Sequence, residues 1–215
     1  MAEIINQQAA AAMIKDGMTV MIGGFLAVGT PETIVDALVA AGVKNLTVIG
    51  NDTATPEKGI GKLVVSKQLK KVIVSHIGTN PETGRQMNAG EVAVELVPQG
   101  TLAERVRAGG AGLGGILTPT GLGTIVAEGK QVIAVDGREY LLEKPLKADV
   151  ALLKAHTADK AGNLVFRRSA RNFNPLMGMA ADIVIVEAQN IVEIGALDPD
   201  AVMLPGIVVD YLVQG

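Results

Sequence analysis

The stretch 18-MTVMIGGFLAVGTPE-32 carries a β-prone apolar run straight into two glycines, a phenylalanine, a third glycine and a proline. A strand stops at paired glycines when something must approach its backbone closely or when φ turns positive there. The residues that follow read as a helix over 31–41, with Thr30 as N-cap, Pro31 at its first position, Glu32 in the first turn and Gly42 just past its end. Further along, 46-LTVIG-50, 71-KVIVS-75 and 92-VAVELV-97 are near-continuous apolar runs rich in Val and Ile, the pattern of buried parallel strands. Later strand candidates are 131-QVIAV-135, 149-DVALLKA-155, 182-DIVIVE-187 and 206-GIVVDYLV-213, and Ile4 to Lys15 reads as an N-terminal helix closed by Gly17. With no low-complexity linker and no repeat of 20 to 50 residues, the pattern predicts one domain over 1–215: an open three-layer α/β/α fold on a largely parallel sheet.

Composition narrows the function. A net charge of −3 and only five aromatic residues leave neither a basic excess nor stacking platforms, so no nucleic-acid partner is expected. Cysteine is absent, which removes disulfides, thiolate nucleophiles and sulfur-ligated metals together. His76 and His156 lie far apart without carboxylates at ligand spacing, and no metal site is expected. The N-terminus lacks the basic region and apolar run of a signal peptide, and no apolar run approaches the ~20 residues of a membrane span. A cytoplasmic protein without membrane contact is the expectation. The 48% hydrophobic content is high for a lone domain and points to surface buried in an oligomer.

If the early strands are parallel, their carboxyl ends share one rim, where ligands bind in open α/β sheets. That rim carries 23-GGFLAVG-29, 51-NDT-53, 76-HIGTNPETG-84 and 98-PQGT-101, mostly glycine, amide and hydroxyl. Such groups donate hydrogen bonds to carbonyl, carboxylate and phosphate oxygens. Nucleophiles are scarce: three serines, no cysteine and no G-x-S-x-G elbow. The run 109-GGAGLGG-115 satisfies G-x-G-x-x-G formally, but it follows the helical 101-TLAERVRA-108 rather than a strand and reads as a packing turn. His76 suits a hydrogen-bonding loop residue better than a catalytic base. The cluster 166-FRRSAR-171 suits a solvated face or subunit contact, with a phosphate or carboxylate ligand for Arg167, Arg168 and Arg171 as the alternative.

Taken together, the motifs resemble the family I coenzyme A transferases. The N-terminal stretch 16-DGMTVMIGGFLAVGTP-31 is similar to that family's signature of acidic residue, glycine, apolar strand, G-G-F, three residues and G-x-P. The resemblance continues through NDTA, SHIGTNPETGR, VPQGTLAERVRAGGAGLGG, TPTGLGT, LLEKPLKADVALLKA, AGNLVFRRSARNFNP and PDAVMLPGI, essentially the whole chain. It implies the α half of a two-half enzyme, in which CoA is a substrate and no cofactor is permanently bound. The nucleophilic glutamate then sits in the β half, in an S-E-N-G motif that this chain lacks. The implied partner is a β subunit in an α2β2 assembly.

Carried over residue by residue, the resemblance makes Gly23, Gly24, Phe25, Leu26, Ala27, Val28 and Gly29 the CoA-contacting loop, the two glycines clearing space and Phe25 offering an apolar wall. The same loop read without a ligand simply turns the chain and packs a helix. Gln99 corresponds to the family's oxyanion-hole glutamine, and Asn51 to a substrate-site asparagine facing the incoming carboxylate. Read locally, Asn51 shapes its loop by an Asx-turn. The NDT and SHIGTNPETG strings look like the acetate, acetoacetate and butyrate branch, acting on acyl-CoA and short carboxylic acids. The succinyl-CoA:3-oxoacid branch tends to show two asparagines after the second strand and a tyrosine at the His76 position. Arg85 is the one cation on the rim suited to a second carboxylate. In a different class, a phosphosugar-binding or isomerase-like domain would use a similar rim, but an isomerase needs its own general base there, and Asp52 and Glu82 lack any partner visible in the sequence.

Overall fold

The apolar runs at the centre of the chain's main sheet become strands covered on both faces. The computed structural model describes residues 1–215. In chain order the elements are β1 (Glu3–Ile5), α1 (Gln7–Ala12), β2 (Thr19–Ile22), α2 (Glu32–Ala41), β3 (Leu46–Ile49), α3 (Ile60–Val65), β4 (Leu69–Val74), α4 (Pro81–Asn88), β5 (Ala93–Leu96) and α5 (Gln99–Gly110). Then come β6 (Ile116–Thr118), β7 (Val132–Val135), β8 (Arg138–Glu143), β9 (Ala148–Asp159), β10 (Leu164–Val165), α6 (Asn174–Met177), β11 (Ala181–Val192) and β12 (Tyr211–Gln214). The main sheet runs β1-β12-β11-β9-β2-β3-β4-β5, every neighbouring pair parallel, with β10 antiparallel on β9.

Alternating side chains feed two separate cores. Val20 and Ile22 of β2, Val150 and Leu152 of β9 and Ile185 of β11 pack with Ile34, Val35 and Leu38 of α2 and Leu63 and Val64 of α3. Met21, Ala151, Leu153, Val184 and Val186 face the other way, against Leu102 and Val106 of α5 and Met177 of α6. Helices on both faces of a parallel sheet make the three layers, and explain why the strands read as continuous apolar runs instead of alternating ones.

Three strand and helix readings change. The expected helix from Ile4 to Lys15 is only α1, capped by the Asn6 side chain accepting from Ala9 N at 2.8 Å. Ile4 and Ile5 belong instead to β1, because β12, at the far end of the chain, offers them a parallel partner. QVIAV is not in the main sheet; β7 pairs antiparallel with β8, which also pairs with β6, in a small separate sheet. In GIVVDYLV only Tyr211 onward is strand, and Gly206–Val208 is a 3-10 turn.

The start of α2 differs too. Gly42 ends the helix in the left-handed conformation (φ 68°), as its position suggests, but Thr30 is not the cap. Its hydroxyl donates to Gly23 O at 3.0 Å. The free N–H groups of the first turn are met by Glu187 of β11, whose Oε2 accepts from Thr33 N at 2.9 Å, Thr33 Oγ1 at 2.7 Å and Ile34 N at 3.2 Å. Such a carboxylate satisfies orphan donors and complements the helix dipole. Lys154 Nζ closes the arrangement at 2.5 Å from Glu187 Oε1.

Candidate active site

The strands β2, β3, β4 and β5 are consecutive and parallel, so their carboxyl ends form the rim that the sequence suggests. A bridge between Asp52 and His76 extends the pairing beyond β3 and β4. There Phe25, Leu26, Asn51, Asp52, Ser75, His76, Thr79 and Gln99 line a cavity of about 400 Å³. Of the residues singled out in the sequence, Gln99, Asn51, Phe25 and Leu26 therefore meet at one cavity. Ala27 lies on the loop's outer surface with Glu32 and Lys58, and Val28 and Gly29 face a different hollow.

Gly23 and Gly24 are buried and sit against their own chain. A Cβ on Gly23 would lie 1.9 Å from Asn174 Oδ1, and one on Gly24 would lie 2.0 Å from Thr30 Oγ1. Gly24 also has φ 132°, a conformation glycine alone adopts readily. Internal packing is thus sufficient to require both glycines, and the space beside them is already occupied.

Beyond the glycines the loop reverses within four residues. Phe25 N donates to Val28 O at 3.0 Å and Val28 N to Phe25 O at 2.9 Å. The two central residues, Leu26 (φ 47°) and Ala27 (φ 68°), are both left-handed, as in a type I′ turn. Neither is the usual Asn or Gly, and such residues cost of order 1–3 kcal/mol each. The surroundings hold them there. Leu26 N donates to Asp52 Oδ2 at 2.9 Å on one side. On the other, Asn172 Oδ1 accepts from Gly24 N at 3.2 Å, Asn172 Nδ2 donates to Val28 O at 2.9 Å, and Asn174 Nδ2 donates to Gly29 O at 2.9 Å. The result is a rigid hairpin with exposed Phe25, Leu26 and Val28 at its surface.

A directed chain of amides runs along the cavity wall. Gln99, in the first turn of α5, donates from Nε2 to Asn51 Oδ1 at 2.6 Å, and Asn51 Nδ2 donates to Asp52 Oδ2 at 2.6 Å. Ser75 Oγ donates to Asn51 O at 2.7 Å. Asp52 ends the chain as an acceptor for the backbone as well, receiving Ala54 N at 2.7 Å. The Asx-turn thus belongs to Asp52, while Asn51 is buried and links Gln99 to it. Because Asp52 is acceptor-only, both amides must point their N–H groups toward it. Gln99 retains a second N–H that no group of the chain accepts.

Two rim residues are otherwise engaged. Arg85 clamps Glu82 and Glu91 at 2.8 and 3.0 Å. Hydrogen bonds from Arg85 and Gln86 hold the Glu82 carboxyl down to about 2, so it is a poor base near neutral pH. Arg85 is correspondingly occupied. An isomerase built on Glu82 or Asp52 has no free base here, since the Asp52 oxygens are committed to Leu26 N, Asn51 Nδ2 and Ala54 N. The sequence carries no local sign of the roles of Asn172, Asn174 and Glu187, and shows Asp52 only as a rim residue without a visible partner. Asn172 and Asn174 lie inside the RNFNP string, whose placement beside the glycine loop depends on contacts across most of the chain.

An open parallel sheet with a donor-rich site at the carboxyl ends of its strands defines an α/β ligand-binding enzyme scaffold. Residues 4–215 match the family described as coenzyme A transferase, and the chain belongs to that family. It is 56% identical over 211 residues to the alpha chain of the acetate CoA-transferase of Escherichia coli, covering 98% of this chain and 96% of that one. It is 53% identical over 205 residues to the corresponding chain of the succinyl-CoA:3-ketoacid coenzyme A transferase of Xanthomonas campestris, covering 95% and 85%. Among solved structures, an Escherichia coli acyl-CoA transferase captured as a thioester complex with CoA superposes with a TM-score of 0.90 at 24% identity. That match covers all of this chain and 47% of the other, so this chain spans about half its length and shares the fold of that half.

Proposed function

We propose that this chain is the α subunit of a CoA-transferase that moves CoA between a short-chain acyl-CoA and a free carboxylic acid. The observation that carries the reading is a cavity furnished with an oriented oxyanion donor, Gln99, and no glutamate on its walls. A β subunit supplies the glutamate, in an α2β2 assembly, with CoA entering as substrate. The glutamate attacks the thioester carbonyl and expels CoA thiolate, leaving a mixed anhydride. The thiolate then attacks the glutamyl carbonyl, releasing the first acid and leaving CoA on the glutamate. A second carboxylate attacks that thioester, and the returning thiolate takes the new acyl group. Each step builds charge on a carbonyl oxygen, which the free N–H of Gln99 meets. Mixing separately purified chains and timing acetyl-CoA formation from acetate and acetoacetyl-CoA tests this. Turnover is expected in the mixture and in neither chain alone; full turnover by this chain alone would end the reading.

The wall also bears on which acids are exchanged. Asp52 places a buried carboxylate beside Asn51 and Gln99, and neither Lys nor Arg lines the cavity. A second carboxylate on the acyl group would be desolvated next to a like charge. This favours acetate, acetoacetate and butyrate over succinate. Asp52→Asn should shift the succinate-to-acetate ratio of kcat/KM upward by about tenfold, the scale of one removed like charge in a partly wet site. An unchanged ratio in an assembled, active variant would free Asp52 of any part in selection.

A further inference from the structure

The glycine loop has a second flank. Val28, Gly29 and Thr30 form one wall of another cavity, of about 360 Å³, whose remaining walls include Lys154, His156, Arg167 and Arg168. No carboxylate lines it, in a chain whose net charge is −3. Lys154 is paired with Glu187, and His156 Nδ1 lies 3.0 Å from Gln189 Oε1. Arg167 and Arg168 take part in no ion pair within the chain. The backbone N–H of Gly29, on the same wall, has no hydrogen-bond partner in the chain.

The backbone is arranged to bring the arginines together. Consecutive side chains of an extended segment diverge to opposite sides. Arg168 instead adopts φ 54°, a left-handed conformation unusual for arginine, and both guanidinium-bearing residues reach one cavity. Buried Asn174 fixes the segment by donating to Ala170 O at 2.8 Å, and Asn172 by donating to Ser169 O at 2.7 Å. Strain held in place by neighbouring side chains, two unpaired guanidinium groups and an unpaired backbone donor are the equipment of an oxyanion site. Paired arginine forks match a tetrahedral, multiply charged oxyanion better than a single carboxylate.

We propose that this cavity binds a phosphate group. The phosphates of CoA are one source, reached across the tip of the loop that separates this cavity from the acyl site; a free phosphate anion is the other. The CoA source rests on the transferase reading, whereas the phosphate site itself does not.

Calorimetric titration of the assembled enzyme with CoA and with inorganic phosphate, before and after Arg167→Gln with Arg168→Gln, tests the site. Kinetics with acetyl-CoA and with acetyl-pantetheine, which lacks the phosphates, separate the sources. If CoA is the source, the double variant should raise KM for acetyl-CoA about ten- to hundred-fold with kcat nearly unchanged, and leave acetyl-pantetheine kinetics alone. Arg167→Lys with Arg168→Lys should recover part of the loss. If a free anion is the source, the variant loses phosphate affinity and keeps its acetyl-CoA kinetics. Equal affinity of parent and variant for both phosphate and CoA would overturn the proposal. An assembled parent inactive on every acyl-CoA would end the transferase reading, and the phosphate titration would still decide the site.

Discussion

Gln99→Ala should lower kcat by about 10² to 10³, the usual loss for one oxyanion-hole donor, with the two-chain enzyme still assembling. On the proposed mechanism the effect belongs on kcat, because there the amide meets charge that exists only as the tetrahedral species forms. The geometry makes the loss hard to repair. Gln99 is aligned by Asn51 at 2.6 Å, and Asn51 by Asp52 at 2.6 Å, so the donor is oriented before substrate arrives. Alanine leaves Asn51 Oδ1 without its amide partner and puts nothing in the place of the missing N–H. Gln99→Glu should be worse still, since it sets a negative charge beside a developing one and against the Asn51 oxygen. Steady-state kinetics on the assembled variants decide the matter, and an unchanged kcat for Gln99→Ala would remove it from the catalytic residues.

Glu187→Ala should cost about 3 kcal/mol of stability, toward the lower end for breaking a buried pair because Lys154 keeps some access to water. Three losses coincide. The first turn of α2 loses its acceptor for Thr33 N and Ile34 N, Thr33 Oγ1 loses its partner, and Lys154 Nζ is stranded beside an empty space. For a domain of this size that corresponds to a fall in thermal midpoint of roughly 6–12 °C. Adding Lys154→Met to Glu187→Ala should recover part of the loss, because the unpaired cation is then gone. A midpoint unmoved by Glu187→Ala would mean that the helix start is held by other contacts.

These two residues also mark how far the sequence could be read. The parallel strands were legible because both their faces are buried, which turns β2, β3 and β4 into unbroken apolar runs. Once the strands were placed, the rim followed, and with it the meeting of Gln99, Asn51, Phe25 and Leu26 at one cavity. Features set by distant partners were not legible. Glu187 is separated from the helix it caps by most of the chain, so Thr30 looked like the cap on local grounds. The β1 strand is visible only beside β12, and the half-exposed β6, β7 and β8 lack the apolar signature of the main sheet. The paired glycines were conspicuous, but their immediate reason is Asn174 and Thr30, side chains that the fold brings against them. Asp52 stood in plain view in NDT, yet its work depends on Leu26 N, across the mouth of the neighbouring strand.

On the proposed function this chain supplies half of an active site, and the nucleophile belongs to a partner. None of its twelve glutamates lines the cavity, and Glu82, the nearest to a rim loop in sequence, is bridged to Arg85. Incubating the assembled enzyme with an acyl-CoA, without acceptor acid, should leave CoA as a glutamyl thioester, which borohydride reduces to a stable alcohol. Intact-mass and peptide spectra of both chains before and after reduction then locate the modified residue. The expected mass change falls on a glutamate of the partner chain and nowhere on this one. A reduced glutamate on this chain, at Glu82 or elsewhere, would place the nucleophile here and not on a partner.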